Sequence, residues 1–407
     1  MTFRARIALT LLACIAVCIA VDIFYFPPAP VFPDEVRFLD TAVRLVTAGE
    51  YNIGGDRAFE MPGMALFLSP FVAAFGAQAA VVPVRLVQAL MLAVQAASIG
   101  WMAFVIFRDR RAAYIALAAT CFYPFLIYTQ GLLLSEMLFT TLLVVAFAAM
   151  FRWRERGLRI DRWLLCSCAL FAATVLTRAT LTFLPPLLLA AAAFCDRRRI
   201  GPALRVLVVA ALVYGAMLSP WWIRNAVVLG EFVPFTSGAV LNLYLGNNPA
   251  NRTGGTDWAT DTEVERVKTM IAIPDELARG RAFGKAATDY IAQDPAAFVK
   301  RAGQKFVRFW NPVPNAGAFR SPALMLISIL SFTPILAMAI VSTIRNRRRF
   351  AALAPVYLLI AYFTLLHVVV IASLRYRLPL EPFLILLASE PISRVVGLFM
   401  PDRTAPA

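Results

Sequence analysis

The feature that most restricts this chain is an alternation: long apolar runs, each broken by a short arginine-rich stretch. Apolar runs of about 20 residues suit helices that cross a bilayer, whereas a membrane barrel would alternate polar and apolar residues. The breaks hold Arg108, Arg110 and Arg111, then Arg152 to Arg162, then Arg197, Arg198, Arg199 and Arg205, then Arg345, Arg347, Arg348 and Arg349. Composition agrees. The chain is 60% apolar and only 15% charged, where soluble domains run near one-quarter charged. In a soluble protein a net charge of +15 would suggest nucleic acid. Here the cations sit in short loops, where they orient helices with positive loops inside, so no nucleic-acid partner is expected. The six cysteines lie in or at the ends of apolar runs and read as small buried hydrophobes. Cys166-x-Cys168 has the wrong spacing for a zinc knuckle, and no metal site or cofactor is expected.

If every arginine-rich break is cytoplasmic, an even number of spans separates each from the next. That rule gives an all-α polytopic protein of about ten transmembrane helices, with both termini inside. The first, "MTFRARIALTLLACIAVCIAV", reads as an uncleaved signal anchor behind Arg4 and Arg6. The others fall at 83–107, twice within 112–151 around a turn at Gln130 to Glu136, and twice within 162–195 around Thr177 to Thr180. Four more follow at 203–222, 322–344, 352–373 and 377–398. Residues 62–78 are also apolar, but about 17 residues of helix reach only ~25 Å and Pro70 interrupts them, so they predict an interfacial helix. Three regions result: an N-terminal membrane region 1–222 with a polar first-loop segment 27–61, a polar segment 223–320, and a C-terminal membrane region 321–407. The expected location is a cell inner membrane, crossed many times.

On this topology the ionisable residues collect on one face. "FYFPPAPVFPDEVRFLD" brings Asp34 and Glu35 out directly after the first span. Asp56, Arg57 and Glu60 follow in the same loop, with Arg85, Glu136, Arg178, Arg224, Arg375, Arg377 and Glu381 at the outer ends of other spans. An ionisable group at mid-membrane costs about 2.5–3.5 kcal/mol, so a collection at one face implies a polar chamber. Within 223–320, "PDELARGRAFGKAATDYIAQ" has a helical pattern. Asp294-Pro295 then starts a second helix whose Phe298, Ala302, Phe306 and Phe309 repeat at helical spacing. Lys300, Arg301, Lys305 and Arg308 fill the gaps, which predicts an amphipathic helix on the membrane face and a lid over the chamber. His367, in an apolar span, reads as structural. The chain holds no HExxH, P-loop or GxSxG pattern.

Taken in order, several stretches resemble the GT-C glycosyltransferases of the glycosyltransferase 39, protein-mannosyltransferase-like superfamily, which includes bacterial aminoarabinose transferases. They are "PDE" after the first span, "EMPGMALFLSPFVAAFG", "VRLVQAL", "YPFLIYTQGLLLSEMLFTTLL", "LTRATLTFLPPLLL", "PWWIRNAVVLGEFVPFTSGAVLNLYLGNNP" and "RYRLPLEPFLILL". The resemblance implies a GT-C fold and transfer of a sugar from a polyprenyl-phosphate donor on the outer, periplasmic face. The acceptor it implies is a glycan, lipid or protein. It places the reacting first-loop Asp on Asp34 and the second acid on Glu136. One departure stands at Met61, where the aminoarabinose branch has lysine.

The residue chemistry points the same way. Breaking the C1–O bond of a lipid phosphate ester leaves added negative charge on the phosphate, which fixed cations stabilise. Arg375 and Arg377 are the first candidates, then Arg224, Arg85 and Arg178. Asp34 would accept the proton of the attacking hydroxyl, with Glu35 as a supporting acid beside it. A bland alternative has Asp34 merely capping a helix over 35–48. A flippase for a lipid-linked sugar would bind the same head group with the same arginines. Such transporters carry paired halves and broken mid-membrane helices, and no internal symmetry is visible here.

Overall fold

The computed structural model describes residues 2–196, 200–251, 253–255, 265–315 and 320–399. Arg197, Arg198 and Arg199 therefore lie outside the described residues. Among the described residues the chain is helical, with one isolated β-bridge between Ile53 and Asp56.

The apolar runs become helices in the expected order: α1 (Phe3–Phe24), α4 (Val81–Phe107), α5 (Arg110–Cys121) with α6 (Pro124–Gln130), and α7 (Ser135–Glu155). After them come α8 (Arg162–Thr177), α9 (Leu184–Asp196) and α10 (Ile200–Leu229). The C-terminal set is α15 (Pro322–Arg345), α16 (Phe350–Val369), the short α17 (Leu374–Arg377) and α18 (Glu381–Phe399). Seven helices are long and apolar enough to cross a membrane, or eight if α5 and α6 count as one span bent by 48° at Pro124. The protein is a multi-pass membrane protein. The ten-span expectation meets one difference at α8 and α9. These apolar helices have 16 and 13 residues, or about 24 and 20 Å, short of a hydrocarbon core of about 30 Å. Arg178 stops α8 in an extended conformation, so the turn falls where it was predicted.

α4, α7 and α18 are the most enclosed spans. Phe147 of α7 meets Phe383 of α18 at 4.8 Å between ring centroids. α1, α10 and α15 flank them and turn Leu12, Leu212 and Leu330 outward, as lipid contact requires.

Two short helices precede α4. α2 (Pro33–Ala48) has Pro33 at its first turn and ends at Gly49, which takes a left-handed φ of 69°. α3 (Gly63–Phe75) is 13 residues with Pro70 inside, about 20 Å and too short to span. It lies against α2, burying Met64 and Leu68 in a cluster with Phe38 and Leu39.

The polar segment forms α11 (Ala239–Gly246), α12 (Glu265–Ile271), α13 (Glu276–Gln293) and α14 (Pro295–Trp310). Asp275 and Asp294 cap α13 and α14 through the backbone N–H groups of Ala278 and Ala297. α14 is amphipathic, but its apolar and basic residues do not divide into two faces. Arg301, Lys305 and Phe309 are its buried stripe, while Val299, Phe306 and Val307 face outward.

The ends of the bundle differ in charge. Arg108, Arg152, Arg156 and Arg345 lie at the end where α4, α7 and α15 stop. The opposite end holds the starts of α2 and α7 and the described residues of 223–315. Cysteine introduced at Asp289 in α13 and at Gly157 beyond α7, in a background free of native cysteine, should therefore label from opposite faces. A membrane-impermeant thiol reagent on intact cells is expected to reach residue 289 only. Labelling of 157 alone would invert the topology.

Candidate active site

Four helix ends meet at the pole opposite the arginine-rich loops. Asp34 sits in the first turn of α2 and Glu136 in the first turn of α7, where helix dipoles favour anions. Arg178 follows the last residue of α8, and Arg375 lies in α17.

Arg375 joins them. Its Nε and Nη2 face the two oxygens of Glu136, the latter at 3.3 Å, in a two-point fork. Its Nη1 donates to Asp34 Oδ2 at 2.7 Å. Arg178 Nη1 donates to Glu136 Oε1 at 2.7 Å, and its guanidinium lies over the rings of Phe139 and Tyr376 at 5.8 and 5.6 Å. The Glu136 side chain is only 1% exposed, so two guanidiniums compensate a fully desolvated carboxylate. Asp34 and Arg375, at 33% and 38%, form the open edge of the network.

Sequence reasoning missed Arg37. It lies three residues after Asp34 on the same helix, which is the signal that could have found it. Its Nη2 is 3.2 Å from Asp34 Oδ1 and bonds to Glu60 Oε1 as well. Carboxylates and guanidiniums thus alternate through Glu60, Arg37, Asp34, Arg375, Glu136 and Arg178. Burial pushes Glu60 above the ordinary carboxylate range, against the pull of Arg37.

Other sequence candidates lie apart from this open edge. Glu35 is fully buried: Oε1 accepts from the N–H groups of Val31 and Phe32 at 3.0 and 2.9 Å, and Oε2 from Leu133 at 2.9 Å. It caps α2 and pins it to the segment before α7, apart from the open edge. The capping bonds of α2 are made by Glu35, while Asp34 pairs with Arg37 and Arg375. Glu136, the second expected acid, is 1% exposed, with both oxygens engaged by guanidiniums.

Arg377, expected beside Arg375 at the donor, points the other way. It is 0% exposed. Its Nε bonds Glu381 at 3.1 Å, its Nη1 bonds the carbonyls of Phe309 and Asn311, and it lies 3.5 Å from the Phe332 ring centroid. Positions two residues apart on one turn project to different sides, and the pair divides between network and core. Arg85 bonds the carbonyls of Pro27 and Ala29 at 2.7 and 3.3 Å and lies over Phe26. It holds the proline exit of α1. Arg224 donates to the carbonyls of Tyr51 and Arg57, tying the first loop to α10. Arg178 is the one expected donor ligand besides Arg375 that joins the network. Met61 is buried in the main core.

No protein-family model matches the sequence, and no curated protein matches it. Solved structures do. The archaeal oligosaccharyltransferase AglB from Archaeoglobus fulgidus, in complex with an inhibitory peptide and a dolichol-phosphate, aligns with a TM-score of 0.57 at 13% identity, covering 98% of this chain and 52% of that one. The apo form of the Archaeoglobus fulgidus oligosaccharyltransferase aligns at 0.58 and 11% identity, covering 98% and 51%. The fold is of the GT-C type. The chain spans about half the length of the oligosaccharyltransferase it matches. ArnT from Cupriavidus metallidurans, bound to undecaprenyl phosphate, aligns at a TM-score of 0.48 and 16% identity, over 97% of this chain and 79% of that one.

The geometry separates stability from chemistry. Glu136→Gln leaves two guanidiniums short of a buried anion and should lower stability by about 3 kcal/mol. Glu35→Gln faces three N–H donors with one oxygen and should cost about 1–3 kcal/mol. Thermal unfolding in detergent checks both, and unchanged midpoints would contradict these roles.

Proposed function

We propose that this protein is a membrane glycosyltransferase that moves a sugar from a polyprenyl-phosphate donor to an acceptor hydroxyl or phosphate. The site faces the extracytoplasmic side, since the arginine-rich loops lie at the other end of the bundle. One observation carries the reading. Arg375 has one edge fastened to buried Glu136 and the other on the half-exposed Asp34. The fastened edge orients the guanidinium. The open edge can exchange a carboxylate for a phosphate, because both present anionic oxygens that a planar guanidinium fork can bind.

The chemistry follows from that exchange. The donor phosphodiester takes the Nη1 edge of Arg375, and Asp34 Oδ2 is released toward the acceptor. The acceptor oxygen forms its bond to C1 as the C1–O bond to phosphate breaks. Its proton passes to Asp34, and the departing polyprenyl phosphate gains one negative charge. Arg375 meets that charge as it develops, and Arg178 helps hold it in place through Glu136. Binding of dolichol-phosphate by the archaeal structural neighbour supports a lipid-phosphate donor here. The one-sided clustering of ionisable groups favours transfer over flipping.

The decisive experiment supplies purified protein in detergent with a panel of polyprenyl-phosphate sugars and follows products by mass spectrometry. Asp34→Asn should keep fold and donor binding while turnover falls by about 10²–10⁴-fold. Arg375→Lys keeps the charge without the fork and should weaken donor use more than acceptor affinity. Normal turnover in a folded Asp34→Asn protein would remove Asp34 from the chemistry.

A further inference from the structure

α14 carries a buried lysine that the proposed chemistry does not use. Lys305 is 0% exposed, and its Nζ meets three neutral oxygens: Asn247 Oδ1 at 2.8 Å, Val369 O at 2.9 Å and Val370 O at 3.0 Å. Among the described residues these are neutral acceptors, and the one charged group acting on it is Arg301, of the same sign. Burial, with Arg301 beside it, pulls its pKa down to about 7, the mark of an ammonium whose desolvation no anion offsets. A lysine buried at such cost asks for a positional reason.

The oxygens it holds supply one. Val369 is the last residue of α16 and Val370 its C-cap, so Lys305 sits on carbonyls that a helix C-terminus leaves unpaired. Asn247 Nδ2 reaches the same two carbonyls, at 2.9 and 3.4 Å. One turn along α14, Arg308 Nε donates to Ala372 O at 3.0 Å. Ala372 N–H in turn donates to Gly254 O at 3.2 Å. The backbones approach closely here: a Cβ on Gly246 would stand 1.9 Å from Val370 O, which leaves no room for a side chain. Next on the same stripe, Phe309 stacks on His367, and His367 stacks on Tyr376 at 4.8 Å and 6° between planes. Tyr376 is the residue after Arg375. Residues 369–376 are therefore gripped from the α14 side along their length, with only Ser373 and Leu374 between the last gripped carbonyl and Arg375.

We propose that Lys305 is a positioning residue for Arg375, clasping the C-terminus of α16 so that the following turn delivers the guanidinium to Asp34 and Glu136. α14 is then the rigid backing of the phosphate-binding arginine. The phosphate part of this inference rests on the proposed function. The clasp itself does not.

Lys305→Met keeps length and removes the donors. In nanodiscs, amide exchange over 369–376 should rise in Lys305→Met while the centre of α7 stays protected. Affinity for undecaprenyl phosphate should fall about tenfold, the effect of one displaced charged contact. In an Arg375→Ala background, Lys305→Met should produce no further loss, because a residue acting through Arg375 has nothing left to position. If Lys305→Met does not fold, Asn247→Ala takes its place, since it loosens the same carbonyls from the other side. Unchanged exchange over 369–376 in a folded variant would overturn the clasp. Equal losses with and without Arg375 would overturn the positioning role. If wild-type protein does not bind undecaprenyl phosphate, the proposed function fails, and the exchange result still decides the clasp.

Discussion

Everything at the site depends on a carboxylate that cannot reach water. Glu136 is buried at the start of α7, and a lone carboxylate there would cost several kcal/mol. Two guanidiniums, one after α8 and one in α17, make its burial tolerable. Those same bonds fasten the ends of helices far apart in sequence to one point. The network runs on through Arg375 to Asp34 and through Arg37 to Glu60, so the first loop is assembled by charge pairing as much as by apolar contact. Strict alternation of sign gives each group an opposite neighbour, and it leaves the reactive edge at the position where accessibility is highest.

Around that network stand joints that resemble site residues in the sequence and act as fasteners in the fold. Glu35 ties α2 to the segment before α7, Arg85 ties the proline exit, Arg224 ties the first loop to α10, and Arg377 ties α17 to the end of α14. The first loop is held from a third side, where Arg279 of α13 pairs with Asp56 and Glu276 accepts from the Arg57 backbone. Burial pushes Glu276 above its ordinary range, so its bond to a backbone N–H is made by a group reluctant to carry charge there. In a membrane protein such polar joints are expected near helix ends. Apolar surface alone does not distinguish a protein neighbour from lipid, while a hydrogen bond to a carbonyl does.

α14 shows how far periodicity carries. Its repeat of aromatic and basic residues was legible, and the helix with its Asp294 cap lies where predicted. Which stripe faces inward was not legible. Lys305 turns in because it meets carbonyls left open at the end of α16, and nothing local to residues 295–310 records that. α8 and α9 make the complementary point: their sequences are apolar enough for spans, yet their lengths fall short.

The sequence by itself determined the helical membrane architecture, the order of the apolar segments, the placement of Asp34, Glu136, Arg178 and Arg375 at one pole, and the resemblance that suggested the GT-C fold. Those features follow from local composition and from helix length measured against bilayer thickness. Only the tertiary structure decided which of the clustered charges share an open edge. Asp34 and Glu35 are neighbours in the chain, as are Arg375 and Arg377 at one residue's remove, yet in each pair one side chain enters the network and the other enters a joint. The reason is geometric. Successive helical positions point about 100° apart, so a single turn can serve two environments, and their identities depend on elements hundreds of residues away.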